Sequence, residues 1–319
     1  MAEAEQGRPQ VAARLGRVLL VVNPTANSGR ARALESRAFA ALSACDTTRS
    51  VEVRRTRAAG DGTAIARSAA AFDTVVALGG DGIAHEIVGG LMDLDAAVRP
   101  AFALVPCGSG NDFARTLGMA LDPEQALGQL NSMSEHAFDI GTCNGERFCE
   151  TLSFGMDAAI ALDTVERRVR TGKTGTPLYM ASGFDQMLHH RTPRMVALSV
   201  DGSAPERRCV LLFAVQIGRT YGGGFAICPD ADPTDGLLDL CWAKAPVGLA
   251  RTAFVFLSAK DGHHVGNPYI TLRRARRVVL EFDEEPPAQV DGERIRGTRF
   301  EIGIEPAALR VLCAGAARG

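Results

Sequence analysis

Short apolar runs alternate with longer, alanine-rich stretches of helical spacing through the first 140 residues. Apolar runs without polar alternation are typical of strands covered on both faces. The repeated order of strand and helix predicts a parallel sheet with helices on each side. The predicted strands are 18–22, 51–55, 74–78 and 101–105. We therefore predict an open, mostly parallel α/β domain over residues 1–140.

The pattern changes after Ile140, where strand-like segments alternate with Asn-Gly, Asp-Gly and Gly-Gly turns. The predicted strands here are 147–154, 194–200, 207–217, 237–243, 277–282 and 299–304. Turns of this kind connect antiparallel strands. Two stretches of helical spacing, 157–170 and 178–189, interrupt the strands, and a glycine-rich segment separates them. We predict a second, antiparallel β domain over residues 141–319.

Composition and charge narrow the class of protein. The chain has 319 residues, 46% of them hydrophobic and 23% charged, which is typical of a folded globular protein. A formal net charge of −2 excludes a general nucleic-acid binder. The eight cysteines form no CxxC pair and are expected to be reduced core residues. We expect a cytoplasmic protein whose contact with the inner membrane leaflet is peripheral.

Three unusual loops follow predicted strands and precede predicted helices: residues 23–29, 79–82 and 106–112. All three should lie along the carboxyl edge of one sheet, where open α/β folds bind ligands. Glycines there allow backbone N–H groups to approach a phosphate, and helix N-termini add partial positive charge. The steric needs of a tight turn explain one such loop equally well, but they do not readily explain three.

Common nucleotide motifs are absent. The dinucleotide pattern GxGxxG fails, because His85 and Phe113 stand where its last glycine belongs. Gly172-Lys173-Thr174 is not the end of a P-loop, because Arg167 replaces the required glycine. The three lysines of the chain are Lys173, Lys244 and Lys260. The α/β domain therefore has no phosphate-binding lysine, and charge neutralisation there falls to backbone groups, Arg30 or a metal ion.

Five motifs follow one another in order over residues 17–313. They are Asn23-Pro24 with Ser28-Gly29, Gly79-Gly-Asp-Gly82, Pro106-Cys-Gly-Ser-Gly-Asn-Asp112, Pro229-Asp-Ala with Asp235-Gly-Leu-Leu-Asp239, and Val290-Asp-Gly-Glu293. This set resembles the diacylglycerol kinase catalytic family of lipid kinases, the bacterial soluble type and its sphingosine- and ceramide-kinase relatives. The resemblance implies an NAD-kinase-like α/β nucleotide domain, a C-terminal β-sandwich domain and a site in the cleft between them.

The resemblance also implies roles for individual residues, with ATP and Mg²⁺ as cofactors. Asp81 would approach the nucleotide phosphates, directly or through magnesium, and Glu293 would be the general base. Asp232, Asp235 and the carbonyl of Leu237 would hold a structural magnesium. The positions expected to bind ATP are Asn23, Pro24, Thr25, Ala26, Asn27, Thr56, Gly80, Asp81, Gly82, Ile83, Ala84, His85, Glu86, Ser109, Asn111 and Asp112.

Four positions depart from the pattern of the family. Ile83 and His85 stand where the family usually has Thr and Asn. Ser109 replaces a more frequent Thr and keeps its hydroxyl, and Arg30 stands where bacterial relatives have Lys. These changes bear on the efficiency of the reaction more than on its identity.

The leading hypothesis is an ATP- and Mg²⁺-dependent lipid kinase that phosphorylates the hydroxyl of diacylglycerol or a similar membrane lipid. Two alternatives stay open: a kinase for a soluble acceptor such as NAD, and a non-catalytic module that senses a nucleotide or lipid. The basic runs 167–170 and 273–277 are candidates for membrane attachment, and the helices over 157–170 and 178–189 for an acyl-chain cleft. The identity of the acceptor and a homodimeric state are left open by the sequence.

Overall fold

Helices and strands alternate through the N-terminal lobe in the computed structural model, which describes residues 13–314. The outer ends of the two predicted domains, 1–12 and 315–319, lie outside the described residues. The elements of this lobe are β1 (Gly16–Val22), α1 (Ala26–Ser43), β2 (Thr48–Arg55), α2 (Asp61–Arg67), β3 (Thr74–Gly79), α3 (Asp81–Met92), β4 (Ala101–Pro106), α4 (Asp112–Thr116), α5 (Pro123–Gln129) and a 3₁₀ turn (Leu130–Ser132).

The first four strands form a parallel sheet in the order β2, β1, β3, β4. Every residue of β3 and β4 is buried, which explains why these strands are continuously apolar. Helices α1, α3 and α5 pack against the sheet. Because the strands are parallel, the loops that follow β1, β3 and β4 meet at one edge. The predicted α/β fold is confirmed.

The C-terminal lobe is mainly antiparallel, as predicted. Its central strand, Glu206–Gln216, pairs with three neighbours. The elements are β5 (Ser134–Cys143), β6 (Glu146–Phe148), β7 (Thr151–Gly155), α6 (Met156–Thr171), α7 (Thr176–His189), β8 (Arg194–Val200), β9 (Glu206–Gln216), β10 (Leu238–Lys244), α8 (Leu249–Ala259), β11 (Ile270–Ala275), β12 (Arg277–Phe282), β13 (Ala288–Val290), β14 (Glu293–Arg294) and β15 (Arg299–Cys313).

Strand β15 joins the two lobes. It pairs with β12 near its start, and near its end Val311 pairs with Phe102 of the N-terminal sheet. Along its length it also pairs with β5, with an irregularity where Ala307 adopts a φ of +49°. Asp139 of β5 stabilises this irregularity, because its Oδ1 accepts a hydrogen bond of 2.7 Å from the backbone N–H of Ala307. The two lobes therefore share one hydrogen-bonded sheet.

A separate aromatic core holds the C-terminal lobe together. Phe213 and Trp242 stack with ring centroids 5.4 Å apart, and Phe154 packs 4.7 Å from Phe300.

Within residues 13–314, no helix combines the length and the apolar character needed to cross a bilayer.

Candidate active site

A cavity of about 700 Å³ lies between the two lobes. The N-terminal lobe contributes the loops that follow β1, β3 and β4, and the C-terminal lobe contributes the segments 149–151, 221–223 and 289–293. The predicted site residues that line the cavity are Asn23, Thr25, Ala26, Asn27, Thr56, Gly80, Asp81, Gly82, Ile83, Glu86, Ser109, Asp112 and Glu293. The structure thus brings Asp81 and Glu293 into one cleft.

Two glycines explain how the loops come so close together. A Cβ atom at Gly80 would lie 2.7 Å from Cα of Gly108, so side chains cannot be accommodated at this contact. The close packing of the two loops therefore explains why Gly80 and Gly108 are glycines. A Cβ atom at Gly82 would meet nothing within 4 Å, so packing does not require glycine there. The open space beside Gly82 instead suits the close approach of a ligand to the backbone.

Several predicted ATP-binding residues have structural contacts of their own. The Asn111 side chain accepts a hydrogen bond from the Gly108 N–H (2.8 Å) and so fixes the loop after β4. Glu86 accepts hydrogen bonds from the N–H groups of Gly60 (2.9 Å) and Gly62 (2.8 Å) at the start of α2. The predicted residues Pro24, Ala84, His85 and Asn111 are not among those that line the cavity.

Two carboxylates from neighbouring loops flank Gly110. A Cβ atom at this glycine would lie 2.8 Å from Oδ2 of Asp81 and 3.3 Å from Oδ2 of Asp112. Burial and the negative charge of Asp112 raise the pKa of Asp81 to about 7. Asp112 accepts hydrogen bonds from the N–H groups of Gly223 (2.7 Å) and Gly224 (2.8 Å), which link the two lobes across the cleft.

Asp291 is a buried carboxylate in the turn between β13 and β14. Its side chain is 3% exposed and its φ is +44°. It accepts hydrogen bonds from three consecutive N–H groups, those of Cys149 (2.8 Å), Glu150 (3.1 Å) and Thr151 (2.8 Å). This contact explains why the predicted strand over 147–154 is divided into β6 and β7. It also fixes the turn that carries Glu293.

His85 connects this turn to the N-terminal lobe. Its Nδ1 lies 2.9 Å from Oδ2 of Asp291, so helix α3 is tied directly to the β13–β14 turn. Burial lowers the pKa of His85, but the hydrogen bond and charge of Asp291 outweigh burial, and the net shift is upward. The same pair keeps the pKa of Asp291 below its usual value in spite of burial. His85 thus contacts Asp291 rather than the cavity.

This pair predicts a pH-dependent stability. A His whose pKa is raised by folding contributes stability below its unfolded pKa, and the contribution disappears as the pH rises through the folded value. We expect His85→Asn to lower the free energy of unfolding by about 1–3 kcal/mol at pH 6 and by much less at pH 9. Urea titrations at the two pH values measure this difference. Equal losses at both values would contradict a charged pair.

Glu150 is a cleft carboxylate that no sequence signal indicated. It is 4% exposed, and a Cβ atom at Gly218 would lie 2.0 Å from its Oε2. Burial and the nearby negative charges of Asp112, Asp291 and Asp81 raise the pKa of Glu150 well above its usual range. Four carboxyl groups therefore crowd this part of the cleft, and a bound cation would relieve the repulsion between their charged forms.

Glu293 is exposed at the start of β14, within the cleft. The turn before it is well supported, because the Gly292 N–H donates to Oε1 of Gln289 (2.6 Å). Gln289 in turn donates from Nε2 to Oγ of Ser153 (2.8 Å). The backbone next to Glu293 is thus well supported, and Glu293 is one of the residues that line the cleft.

Helices α6 and α7 form a mostly apolar wall on one side of the cleft. Ala161, Thr164 and Val165 line it from α6, and Leu178 and Tyr179 line it from α7. Arg168 of α6 also lines the cleft and adds a cationic side chain. A separate, almost entirely apolar cavity lies between α6, α8 and strands β9 and β10, and Tyr221 borders both spaces.

The predicted structural magnesium site lies outside the cleft. Oδ1 of Asp232 accepts hydrogen bonds from the N–H (2.9 Å) and hydroxyl (2.7 Å) of Thr234. Oδ1 of Asp235 accepts from the N–H of Leu237 (2.9 Å). Within residues 13–314, no three His, Cys, Asp or Glu side chains are grouped closely enough to hold a metal ion by themselves. The site at Asp232, Asp235 and Leu237 stays a prediction.

Comparisons with known families cover both lobes. Residues 17–143 match the diacylglycerol kinase catalytic domain. Residues 150–313 match the YegS C-terminal domain, which is described as NAD kinase beta sandwich-like.

Two curated relatives match most of the chain. It is 33% identical over 241 residues to "Diacylglycerol kinase" of Bacillus subtilis (strain 168), which covers 75% of this chain and 77% of that protein. It is 31% identical over 270 residues to "Probable lipid kinase YegS-like" of Pseudomonas aeruginosa (strain UCBPP-PA14), with coverage of 82% and 84%.

Solved structures share the fold. A diacylglycerol kinase from Bacillus anthracis str. Sterne has a TM-score of 0.77 at 24% identity, over 93% of this chain and 96% of that one. An NAD kinase from Archaeoglobus fulgidus in complex with ATP has a TM-score of 0.53 at 17% identity, over 94% and 93%. The expected NAD-kinase-like architecture is confirmed.

Proposed function

Because this chain belongs to the diacylglycerol kinase family, we propose that it transfers the γ-phosphoryl group of ATP to the hydroxyl of a membrane lipid such as diacylglycerol. The observation that carries this proposal is the single cleft that contains the glycine loops of one lobe and Glu293 of the other. Phosphoryl transfer needs positioning and charge neutralisation rather than covalent chemistry, and the cleft contains groups for both.

The donor chemistry of the cleft fits Mg²⁺. The ion prefers oxygen ligands and is usually held by one or two carboxylates together with substrate phosphates. Asp81 and Asp112 supply such carboxylates, and their mutual repulsion is the kind of interaction that a divalent cation relieves. When bound, Mg²⁺ would neutralise charge on the β- and γ-phosphates. Asp81 and Asp112 would hold it, and the loops around Gly80 and Gly82 would orient the nucleotide.

We assign Glu293 the role of general base. Its exposed carboxylate in the cleft is able to accept the proton of an acceptor hydroxyl, while the supported turn keeps it in place. The apolar wall of α6 and α7 provides a surface for the hydrocarbon part of the acceptor. The cleft suits the hydroxyl of an amphiphilic alcohol, and the wall suits its hydrocarbon part.

A labelling experiment tests the function. The purified enzyme is incubated with γ-labelled ATP, Mg²⁺ and a total membrane lipid extract, and in parallel with NAD in place of lipid. We expect a labelled lipid phosphate, with diacylglycerol giving phosphatidic acid. Labelled NADP would support the soluble acceptor instead. Nucleotide binding without transfer to either acceptor would support the non-catalytic sensing module.

A substitution on the apolar wall tests where the acceptor binds. Val165→Lys places a charge on the cleft face of α6, so we expect KM for detergent-dispersed diacylglycerol to rise about tenfold or more. KM for ATP should be unchanged. Val169→Lys is the matched control, since Val169 is 82% exposed one turn further along the same helix and does not line the cleft. Equal effects of the two substitutions would contradict this binding position.

A further inference from the structure

Helix α7 carries a stripe of exposed apolar residues. Pro177, Ala181, Phe184 and Leu188 are all exposed and recur at the spacing of one helical face. Phe184 is 42% exposed and Leu188 is 60% exposed. The opposite face of the same helix is buried and contributes Leu178 to the cleft wall. The helix is therefore apolar on both faces, although only one is covered.

Helix α8 shows the same property beside it. Eight of its eleven residues are apolar, yet only Thr252 and Ala259 of the helix are buried. Phe254 is 65% exposed and Leu257 is 48% exposed. The ring of Phe256 lies edge-on to that of Phe184 at 6.3 Å, so the two helices are neighbours. We define the α7–α8 surface as Ala181, Phe184, Leu188, Phe254 and Leu257.

Arginine and lysine side chains border this surface. Arg191 follows the stripe just after α7, Arg251 lies on α8 and Lys260 follows α8 immediately.

Two acidic residues are near, but one of them is already paired. Asp185 forms ion pairs with Arg167 (2.5 Å) and His189 (3.1 Å), and Asp261 follows Lys260. Exposed Phe and Leu side chains bordered by cations are typical of segments that lie in the interface of an anionic membrane.

We infer that the α7–α8 surface docks onto an anionic lipid bilayer. Phe184, Leu188, Phe254 and Leu257 would enter the boundary between headgroups and acyl chains, while the bordering cations contact the headgroups. Two observations favour a bilayer on this surface. The bordering cations complement anionic headgroups, and the inner face of α7 forms the wall of the cleft. The purpose of this docking rests on the proposed lipid acceptor, but the vesicle-binding experiment does not depend on that proposal.

The basic runs noted in the sequence stay candidates for membrane attachment. Arg167 is engaged by Asp163 and Asp185, and Arg274 donates to Oδ1 of Asp239 at 3.1 Å. The docking surface proposed here relies on the cations at the ends of α7 and α8.

Vesicle sedimentation tests the inference. We compare the wild type with Phe254→Gln/Leu257→Gln on vesicles of phosphatidylglycerol and phosphatidylcholine, and on phosphatidylcholine alone. The wild type should bind the anionic vesicles, more weakly as salt rises, and the double variant at least tenfold more weakly. Leu121→Gln is the control, since Leu121 is 42% exposed on the N-terminal lobe. Because the replaced side chains are exposed, Tm should not fall.

Further measurements separate the possible results. Arg251→Gln/Lys260→Gln should weaken binding and flatten its salt dependence. Unchanged vesicle binding in the Phe254/Leu257 variant would overturn the inference. So would a wild-type dimer that this variant dissociates, because the surface would then cover a second copy of the chain.

An activity measurement distinguishes docking from the proposed reaction. With a monodisperse short-chain diacylglycerol, the Phe254/Leu257 variant should keep wild-type turnover, and on vesicles its rate should fall at least tenfold. If the wild type phosphorylates no lipid, the proposed function fails, while the sedimentation result still decides the docking surface. A fall of equal size on the short-chain acceptor would contradict a docking role.

Discussion

Glu293→Gln should lower kcat by about 10²–10⁴-fold, the usual contribution of a general base. The substitution keeps the size of the side chain and removes its ability to accept a proton. KM for ATP should stay near the wild-type value, because the nucleotide loops belong to the other lobe. Steady-state rates at saturating ATP and acceptor measure the effect, with nucleotide affinity determined separately by calorimetry.

The matched control is Glu284→Gln. The Glu284 side chain is 81% exposed, on the same lobe but outside the cleft, where it pairs with Arg194. We expect this variant to keep full activity. Near-wild-type turnover in Glu293→Gln would reject the assignment of Glu293 as the base.

Asp81→Asn should have effects of opposite sign on activity and stability. We expect kcat to fall by about 10²–10⁴-fold, because charge stabilisation at a phosphoryl group is worth several kcal/mol. The amide oxygen is still able to accept the hydrogen bond that the Phe113 N–H now donates to Oδ1 (3.1 Å), so local structure should persist. Initial rates over a range of Mg²⁺ concentrations measure the loss.

The stability effect follows from the raised pKa of Asp81, which is about 7. A carboxyl whose folded pKa lies above its unfolded value binds more protons when folded, so its contribution to stability falls as the pH rises between the two values. The asparagine variant removes this penalty. Without Mg²⁺, its Tm should therefore exceed that of the wild type by several degrees at pH 8 and by little at pH 4. A lower Tm at pH 8 would contradict the repulsion between Asp81 and Asp112.

The sequence predicted the strands and helices correctly where burial dictates the type of residue. The four predicted strands of the first lobe correspond to β1–β4, and the helices predicted over 157–170 and 178–189 correspond to α6 and α7. A strand buried on both faces must be apolar throughout, and a helix covered on one side shows its spacing. Both signals are local, so they are visible in one sequence.

The pairing of strands that are far apart along the chain was not visible in the sequence. The prediction ended the last strand at Ile304, but β15 continues to Cys313 through Pro306. Inside a strand, proline is found mainly at edges and at bulges. Here the strand continues past an irregularity that Asp139 supports from far along the chain. Nothing near residue 306 indicates that contact.

The same limit applies to the cleft. The loops with Asp81 and Asp112 carry local glycine signals, so they were identified. Glu150 and the contacts of Asp291 were not identified, because their importance comes from burial and from partners about 38 to 206 positions away. The contact between His85 and Asp291 likewise depends on how the lobes pack.

The most direct test of this account is a crystal structure with Mg²⁺ and a non-hydrolysable ATP analogue. The account predicts triphosphate oxygens against the loops that contain Gly80–Gly82 and Ser109, the metal on Asp81 or Asp112, and the Glu293 carboxylate on the open side of the terminal phosphate. A triphosphate bound elsewhere, or a terminal phosphate turned away from Glu293, would contradict it.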